Sequence, residues 1–366
     1  MTTLEQLVGA VGARLQALVD SEAAVEGAAS ILRVELPRRG LVWQHVAGGI
    51  TRGGEPAAVT TPFRIASVTK PFTAAVVMQL VAEGKLALDD LLSSRLPADH
   101  LDLVPRVHVL DGVSYGERIT IRQMLSHASG LFDYAMSPSF GQAIGADPGH
   151  VWTPREMVEG AIAWGTPHFP PGEGYGYAYS DTGYVLAGLV IEAIEGRPLH
   201  EAYRARILDP LGLGNTYLEG FEAHRGSEMA HAHEGQFDAA PIHGSADWAG
   251  GGLVSDTADL ATFVQALLAG DIVPEPCLAE MLDWQFRALD PAKHTPGYLG
   301  YGLGVDVRES NGFLLRGHRG HWGVLMHRDP LIGLTITGTI NQADRRPEAL
   351  MHGATAAIRE SGVTDA

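Results

Sequence analysis

The first twenty residues repeat apolar side chains at helical spacing. Leucines and valines fall at positions i, i+3, i+4 and i+7, which predicts an amphipathic helix over residues 1–20. Residues 28–35 and 41–48 are rich in β-forming side chains and flank a Pro-Arg-Arg-Gly stretch, which predicts a hairpin. The chain is therefore expected to begin with a helix and two antiparallel strands.

The middle of the chain carries helical patterns, and the last third returns to strands. Residues 67–218 give helical signals that are interrupted by long Gly- and Pro-rich connections at 135–154 and 165–176. The helices predicted there are 121–127, 154–164, 182–195 and 199–207. The predicted strands are 301–308, 312–317, 323–327 and 333–338, and a closing helix follows at 348–360.

This order of elements predicts the fold class. We expect an α/β protein in which one antiparallel sheet, built from both chain ends and flanked by helices, carries an inserted helical lobe. Residues 1–62 and 225–366 would form a discontinuous α/β lobe, and residues 63–224 a mainly helical lobe. The active-site cleft is expected between the two lobes, where ligands commonly bind.

Composition narrows the classes of partner. The chain has 366 residues, of which 45% are hydrophobic, and a formal net charge of −17. That charge, without a run of Lys or Arg, disfavours nucleic acid and membrane surfaces as partners. Cys277 is the only cysteine, so no intrachain disulfide can form. No secretory signal or membrane-spanning stretch is recognised, which predicts a cytoplasmic location, and the oligomeric state stays open.

The tetrapeptide Ser67-Val68-Thr69-Lys70 places a hydroxyl and an amine three residues apart at a predicted helix start. The two groups would share one face of that helix. A serine hydroxyl is a weak nucleophile until a neighbouring base accepts its proton, and Lys70 can be that base only when it is neutral. A capping serine followed by a solvated lysine explains the same pattern.

A second candidate segment is the Gly- and Tyr-rich loop that ends at Tyr179 and Asp181. Tyr179 could relay a proton, because a phenol near an ammonium is favoured in its ionised form. Asp181 could bond to Lys70. The alternatives are a core aromatic for Tyr179 and a helix cap for Asp181. The loop residues Gly174, Tyr175 and Tyr177 could shape a pocket for an acyl group.

A third candidate segment, Gly-His-Arg-Gly-His-Trp-Gly at residues 317–323, lies between two predicted strands. Its glycines would let a ligand approach the strand backbone closely. A backbone N–H group there could supply half of an oxyanion hole. The alternative is a polar hairpin turn.

Together the three segments resemble the serine hydrolases related to class C β-lactamases and serine DD-peptidases. The family motifs are S-x-x-K, Y-x-N and either K-T-G or H-x-G. They correspond here to Ser67–Lys70, Tyr179–Asp181 and His318–Gly320, in the family's order. Further stretches resemble the family at residues 119–131, 210–213, 250–255 and 259–260, so the resemblance covers about residues 28–358.

The resemblance implies a β-lactamase- or transpeptidase-like fold and a serine hydrolase that needs neither a cofactor nor a metal. Ser67 would be acylated, and Lys70 and Tyr179 would exchange its proton. The backbone N–H groups of Ser67 and His321 would form the oxyanion hole. His318 would stand in the place of the third-motif lysine.

Two departures from the family pattern bear on the substrate. Asp181 stands where many members have Asn, and its charge would favour the ammonium form of Lys70. His318 removes a permanent cation, which moves the prediction from β-lactams toward esters, amides and D-amino-acid peptides. Arg319 is predicted to clamp a substrate carboxylate, with an ordinary surface arginine as the alternative. The other predicted substrate contacts are Asp181, Gly320, Trp322, Asn341, Arg345 and Arg346.

We predict a hydrolase of small ester, amide or peptide substrates that acts through a Ser67 acyl-enzyme. β-Lactamase or DD-peptidase-like activity, acyl transfer or peptide cyclisation, and a non-catalytic sensor that keeps its acyl adduct stay open as alternatives. A metal-dependent hydrolase is a further alternative, because His231 and His233 accompany Asp238 and Asp247. The H-E-x-x-H motif is absent from the sequence.

Overall fold

The computed structural model describes residues 4–25, 27–172, 176–284 and 297–363. The α-helices in these ranges, labelled α1 to α12, are Leu4–Ala23, Lys70–Ala82, Val104–Val107, Ile121–Leu125, Pro138–Ala146, Pro154–Trp164, Asp181–Glu195, Leu199–Tyr203, Trp248–Gly251, Thr257–Ala269, Cys277–Leu282 and Glu348–Ser361. The strands β1 to β14 are Ser30–Leu36, Leu41–Ala47, Phe63–Arg64, Val109–Leu110, Val113–Ser114, Tyr217–Leu218, His233–Glu234, Phe237–Asp238, Leu253–Ser255, Tyr298–Tyr301, Asp306–Ser310, Phe313–Gly320, Val324–Asp329 and Leu334–Thr339. Gly174 and Tyr175 lie outside the described residues.

Seven strands form one antiparallel sheet in the order β10-β11-β12-β13-β14-β1-β2. The N-terminal hairpin joins the last strand directly, because Ile31 in β1 pairs with Thr339 in β14. Gly40 closes the hairpin turn at φ +68°, a conformation that glycine adopts without strain. The prediction of one sheet built from both chain ends is therefore confirmed.

Both faces of this sheet are buried. Leu32 and Val34 of β1 contribute to an apolar cluster that includes side chains of α1 and α12. Ile31 points to the opposite face, because side chains alternate along a strand, and α10 packs there against β1, β13 and β14. The sheet is thus the central layer between helices.

Two apolar helices carry key residues of the helical part. Ten of the thirteen residues of α2 are buried, including Lys70, and α7 is buried along most of its length. A helix that is apolar all round belongs in a protein interior. Lys70 begins α2 and Asp181 begins α7, so both helices start at the same place in the structure. None of the helices in the described residues has the length and apolar content needed to cross a membrane.

Several helices were not expected from the sequence, among them α10 at Thr257–Ala269, in the part of the chain that was predicted to return to strands. Residues 138–146 fall within a predicted connection but form α5. Ser137 caps this helix by accepting a hydrogen bond from the backbone N–H of Ser139, and Pro138 is its first residue. These start signals are the ordinary ones, but two glycines within the helix weaken its helical pattern.

The strands differ from the predicted ones at two places. Residues 301–308, predicted as one strand, contain the end of β10 and the start of β11, because the chain turns at Gly304 with φ +78°. His318 to Gly320 end β12, and the turn comes only at 321–323. The polar hairpin turn is therefore wrong as an explanation of His318. The division into lobes at residues 62 and 224 stays a prediction.

Candidate active site

The segment that carries Ser67 is held in a strained conformation. Ala66 has a φ of +46°, in the left-handed region that is costly for a residue other than glycine. A 3₁₀ turn from Ala66 to Thr69 runs directly into α2. Lys70 Nζ consequently lies 2.9 Å from Ser67 Oγ. The structure places the hydroxyl and the amine within hydrogen-bond reach.

Lys70 is fully buried and has three hydrogen-bond acceptors around its amine. They are Ser67 Oγ, the Gly250 carbonyl oxygen at 2.8 Å and Asp181 Oδ1. Three acceptors match the three donors of an ammonium group. A neutral amine has only two donors, and its lone pair could accept the Ser67 proton. The geometry therefore describes a paired ammonium that must lose a proton before it can serve as a base.

Tyr179 lies beside both groups. It shares a hydrogen bond with Ser67, and its ring centre is 4.8 Å from Lys70 Nζ. Burial, and after it the charge of Asp181, raise the pKa of Tyr179 well above its usual value. The Tyr179 side chain is thus a neutral phenol at neutral pH. The neighbouring Lys70 ammonium alone would favour the ionised form of Tyr179, but burial favours the neutral form.

Three carboxyl groups, Asp133, Asp181 and Asp247, line the same cavity. Burial and the charge of Asp181 raise the pKa of Asp133 to about 8, and the same two causes raise the pKa of Asp247. Neighbouring carboxylates disfavour one another's ionisation. These three carboxyl groups of the cavity wall therefore carry fewer than three negative charges in total at neutral pH. No motif indicates Asp133, and the sequence suggests Asp247 only as a metal ligand.

His318 is a neutral imidazole at the end of β12. Its Nδ1 lies 2.6 Å from the Arg319 carbonyl oxygen, which can only accept, so Nδ1 carries the proton. Nε2 then accepts a hydrogen bond from the Tyr301 hydroxyl at 2.8 Å. Burial lowers the pKa of His318 to about 3, against the opposing charge of Asp306. His318 thus presents a polar but uncharged side chain to the cavity.

Arg319 lines the cavity but is already paired. It donates through Nη1 to Glu348 Oε1. Arg308 Nη1 lies 3.8 Å from the same oxygen, and Asp306 accepts from Arg308 Nε at 2.7 Å. A substrate carboxylate would have to compete with Glu348 for Arg319.

Gly320 brings β12 against the segment that carries Ser67. A Cβ atom at Gly320 would lie 2.3 Å from the Ile65 carbonyl oxygen, so the approach requires glycine. His321 and Trp322 follow, and both line the cavity. The end of β12 therefore lies against the segment that leads to Ser67, and the oxyanion hole at the backbone N–H groups of Ser67 and His321 stays a prediction.

The residues after β14 divide into two groups. Asn341 is fully buried, has a φ of +52° and is not among the described residues that line the cavity, so the structure does not support it as a substrate contact. Arg345 and Arg346 do line the cavity. Arg345 pairs with Glu22 at 2.5 Å, whereas Arg346 is exposed at the rim.

His127 lies at the centre of the aromatic wall. Its ring centre is 4.1 Å from that of Tyr179 and 4.7 Å from that of Tyr301. Nδ1 accepts a hydrogen bond from the backbone N–H of Ser180 at 3.1 Å, and burial lowers the pKa of His127 well below its usual value. The family-like stretch at 119–131 indicates this segment but assigns His127 no role. Only the three-dimensional arrangement reveals it.

Two of the candidate metal ligands form a pair. His231 pairs with Asp238 at 2.9 Å, next to a short hairpin. Within residues 4–25, 27–172, 176–284 and 297–363, no group of three or more His, Cys, Asp and Glu side chains is arranged to hold a metal ion.

The candidate residues surround one cavity of about 740 Å³. Ser67, Tyr179, Asp181 and His318 line it, and buried Lys70 reaches Ser67 from behind. This volume is typical of sites for small molecules.

Comparison with known proteins gives matches over most of the chain. Residues 14–359 match the family model described as Beta-lactamase. Esterase EstB of Burkholderia gladioli is 31% identical over 224 residues, which cover 59% of this chain and 53% of that protein. The chain spans about half the length of the curated relatives it matches.

Two solved structures are similar over nearly their whole length. The D-stereospecific amidohydrolase from Streptomyces sp. has a TM-score of 0.80 and 29% identity, covering 94% of this chain and 98% of that one. The D-amino acid amidase from Ochrobactrum anthropi SV3, complexed with L-phenylalanine amide, has a TM-score of 0.81 and 25% identity, covering 96% and 99%. The predicted fold is confirmed.

Proposed function

This chain belongs to the beta-lactamase family, and on that premise we propose that it is a serine hydrolase of small esters or amides. The reaction would proceed through an acyl-enzyme on Ser67. The observation that carries the proposal is the buried Lys70 amine, 2.9 Å from a serine hydroxyl that opens onto a cavity. Similarity to an esterase and to two amidohydrolases supports the class of bond.

In acylation, Ser67 Oγ attacks the carbonyl carbon of the substrate. Its proton passes to the neutral Lys70 amine, directly or through the Tyr179 hydroxyl. The carbonyl oxygen becomes an oxyanion that the backbone N–H groups of Ser67 and His321 stabilise. The positive end of α2 adds to this stabilisation. The intermediate then expels an alcohol or amine, which takes the proton from the Lys70 and Tyr179 pair.

Deacylation uses water in place of the serine. The Lys70 and Tyr179 pair accepts a proton from the water, whose oxygen attacks the acyl carbon. The bond to Ser67 Oγ breaks, and the serine takes the proton back. The acid leaves and the starting enzyme is restored.

Asp181 would let the Lys70 amine act as a base by accepting a proton from it. In the described geometry it is the ion-pair partner of Lys70. Transfer of one proton from Lys70 to Asp181 would give a neutral amine and a neutral acid without changing the total charge of the buried pair. An Asp at this position therefore need not prevent catalysis, although its family counterpart is often Asn.

His318 and Arg319, in the cavity wall, indicate the class of substrate. Neutral His318 supplies no fixed cation, and Arg319 is held by Glu348. Esters and amides that lack a carboxylate next to the scissile bond suit such a wall better than β-lactams do. The predicted cytoplasmic location stays a prediction, which cell fractionation would test.

Covalent labelling tests the proposal. The protein is treated with a fluorophosphonate, and mass spectrometry should find the adduct on the peptide that contains Ser67. Ser67→Ala should lose the label, and both Ser67→Ala and Lys70→Ala should lose at least about a thousandfold in kcat/KM for p-nitrophenyl acetate. Ser94→Ala and Lys85→Ala, at exposed positions, are the matched controls. Unlabelled parent protein together with unchanged hydrolysis by Ser67→Ala would refute the proposal.

A further inference from the structure

One part of the cavity wall is apolar, unlike the polar wall around Ser67. It is formed by α5 and by the segment that begins with β8. We call it the apolar arm and define it by Phe140, Gly141, Ile144, Gly145, Phe237 and Ile242. None of these six side chains carries a charge. The arm belongs to the same cavity as Ser67, so a substrate group can occupy it while its carbonyl carbon lies at the serine.

Gly141 and Gly145 lie one turn apart on α5, on the same stripe of the helix. A Cβ atom on either would meet nothing within 4 Å, and neither has a positive φ. Packing and backbone conformation therefore require glycine at neither position, although glycine weakens a helix relative to alanine. Both glycines line the cavity. Both glycines are exposed, and side chains there would occupy open space at the cavity wall.

Aromatic packing and hydrogen bonds hold the residues around the arm. The Phe140 ring makes edge contacts with Tyr134 and Trp152, each at a centroid distance of 5.1 Å. Tyr134 Oη donates to the Ala246 carbonyl oxygen at 2.9 Å, and the backbone N–H of Trp152 donates to Ser245 Oγ at 2.8 Å. These contacts tie the aromatic cluster under α5 to the facing segment.

We propose that Gly141 and Gly145 determine specificity by keeping the arm open for a long or bulky apolar acyl group. The inference rests on the proposed function. The leaving group takes its proton from Lys70 and Tyr179, and the Tyr179 ring lies against the polar aromatic wall with Tyr301. The leaving group would thus lie along that wall, and the acyl part of the substrate takes the arm.

Chain-length selectivity provides the test. The ratio of kcat/KM for p-nitrophenyl octanoate to that for the acetate is measured in the parent, in Gly141→Leu and in Gly145→Leu. Each buried methylene favours binding by about fourfold, and a leucine displaces about three of them, so the ratio should fall about 60-fold. Gly9→Leu is the matched control, because Gly9 is an exposed helical glycine whose Cβ would also meet nothing within 4 Å. Its ratio should equal that of the parent.

Two measurements separate the possible outcomes. Inactivation by p-nitrophenyl methylphosphonate counts folded, reactive sites in each variant. If a leucine variant does not fold, the double variant Gly141→Ala/Gly145→Ala replaces it. Its octanoate-to-acetate ratio of kcat/KM should fall about fourfold or more. An unchanged octanoate-to-acetate ratio would overturn the inference. So would a fall in kcat/KM for octyl acetate, which carries its long chain in the leaving group, without a fall for p-nitrophenyl octanoate. Either result would leave the hydrolase proposal standing. A parent protein that reacts with no ester and no phosphonate would overturn the proposed function itself.

Discussion

Replacing Asp133 by Asn should stabilise the protein increasingly as the pH rises. Asp133 is buried, and its pKa is raised from 3.8 to about 8, first by burial and then by the charge of Asp181. Between those two values the unfolded chain has released this proton and the folded protein still holds it. Stability is therefore lost as the pH rises, by up to about 1.4 kcal/mol per pH unit. Asn is neutral throughout and removes that loss.

The magnitude follows from the interval between the two pKa values. Four pH units at this slope give an upper limit of about 6 kcal/mol. The pKa of Asp247 in the same cavity wall is raised too, and this coupled carboxyl group takes up part of the effect, so we expect a gain of about 3 kcal/mol at pH 8 and almost none at pH 4. The amide oxygen of Asn can still accept the hydrogen bond from Ala135 N–H, which is 3.1 Å long in the parent.

Urea unfolding followed by tryptophan fluorescence measures the effect. The free energy of unfolding is determined for parent and Asp133→Asn at pH 5, 6, 7 and 8, and their difference should grow at each step. Asp111→Asn makes the same chemical change in an exposed turn and serves as the control. A difference that stays constant over this range, or shrinks, would show that Asp133 does not hold its proton in the folded protein.

Three further outcomes are expected. Gly320→Ala should lower kcat about a hundredfold, because its Cβ would lie 2.3 Å from the Ile65 carbonyl oxygen and push β12 away from Ser67. The ¹⁵N NMR signals of His318 should report a neutral ring protonated at Nδ1 from pH 5 to pH 8, since its pKa is lowered to about 3. Arg319→Met should destabilise the protein by about 3 kcal/mol in urea unfolding, because it leaves a buried Glu348 without its closest partner.

A specific result would contradict each of these three predictions. Gly214→Ala adds a Cβ that meets nothing within 4 Å, so equal losses in Gly214→Ala and Gly320→Ala would count against a local effect on Ser67. A His318 signal that titrates between pH 5 and 8 would contradict the neutral wall. Unchanged stability of Arg319→Met would mean that Arg308 alone satisfies Glu348.

Some elements with local start signals were predicted correctly from the sequence, but α10 was missed although Asp256 caps its start and Gly270 its end. The predicted helix 154–164 agrees with α6 because Thr153 and Glu156 form a capping box and Pro154 follows the cap. α5 was not predicted, since its glycines weaken the helical pattern and Phe140 is held by aromatic side chains outside the helix. Helices that depend on tertiary packing leave a weak local signal.

The candidate site likewise contains residues that local sequence reveals and residues whose properties depend on the fold. Ser67, Tyr179 and His318 occur in short motifs, so the sequence indicates them directly. Asp133 and His127 acquire their properties from burial and from neighbours that the fold supplies. The pairing of Arg319 with a glutamate 29 residues later also depends on the packing of the last helix, and no short pattern could reveal it.

The pairing of Ile31 with Thr339 has a consequence for synthesis on the ribosome. At about 5 to 20 residues per second, the last strand emerges about 15 to 60 s after the first. During that interval the β1 edge that will pair with β14 stays open, with apolar side chains such as Leu32 and Val34 still uncovered. The nascent chain thus passes through an aggregation-prone stage, in which a chaperone that shields extended apolar segments would raise the yield of folded protein.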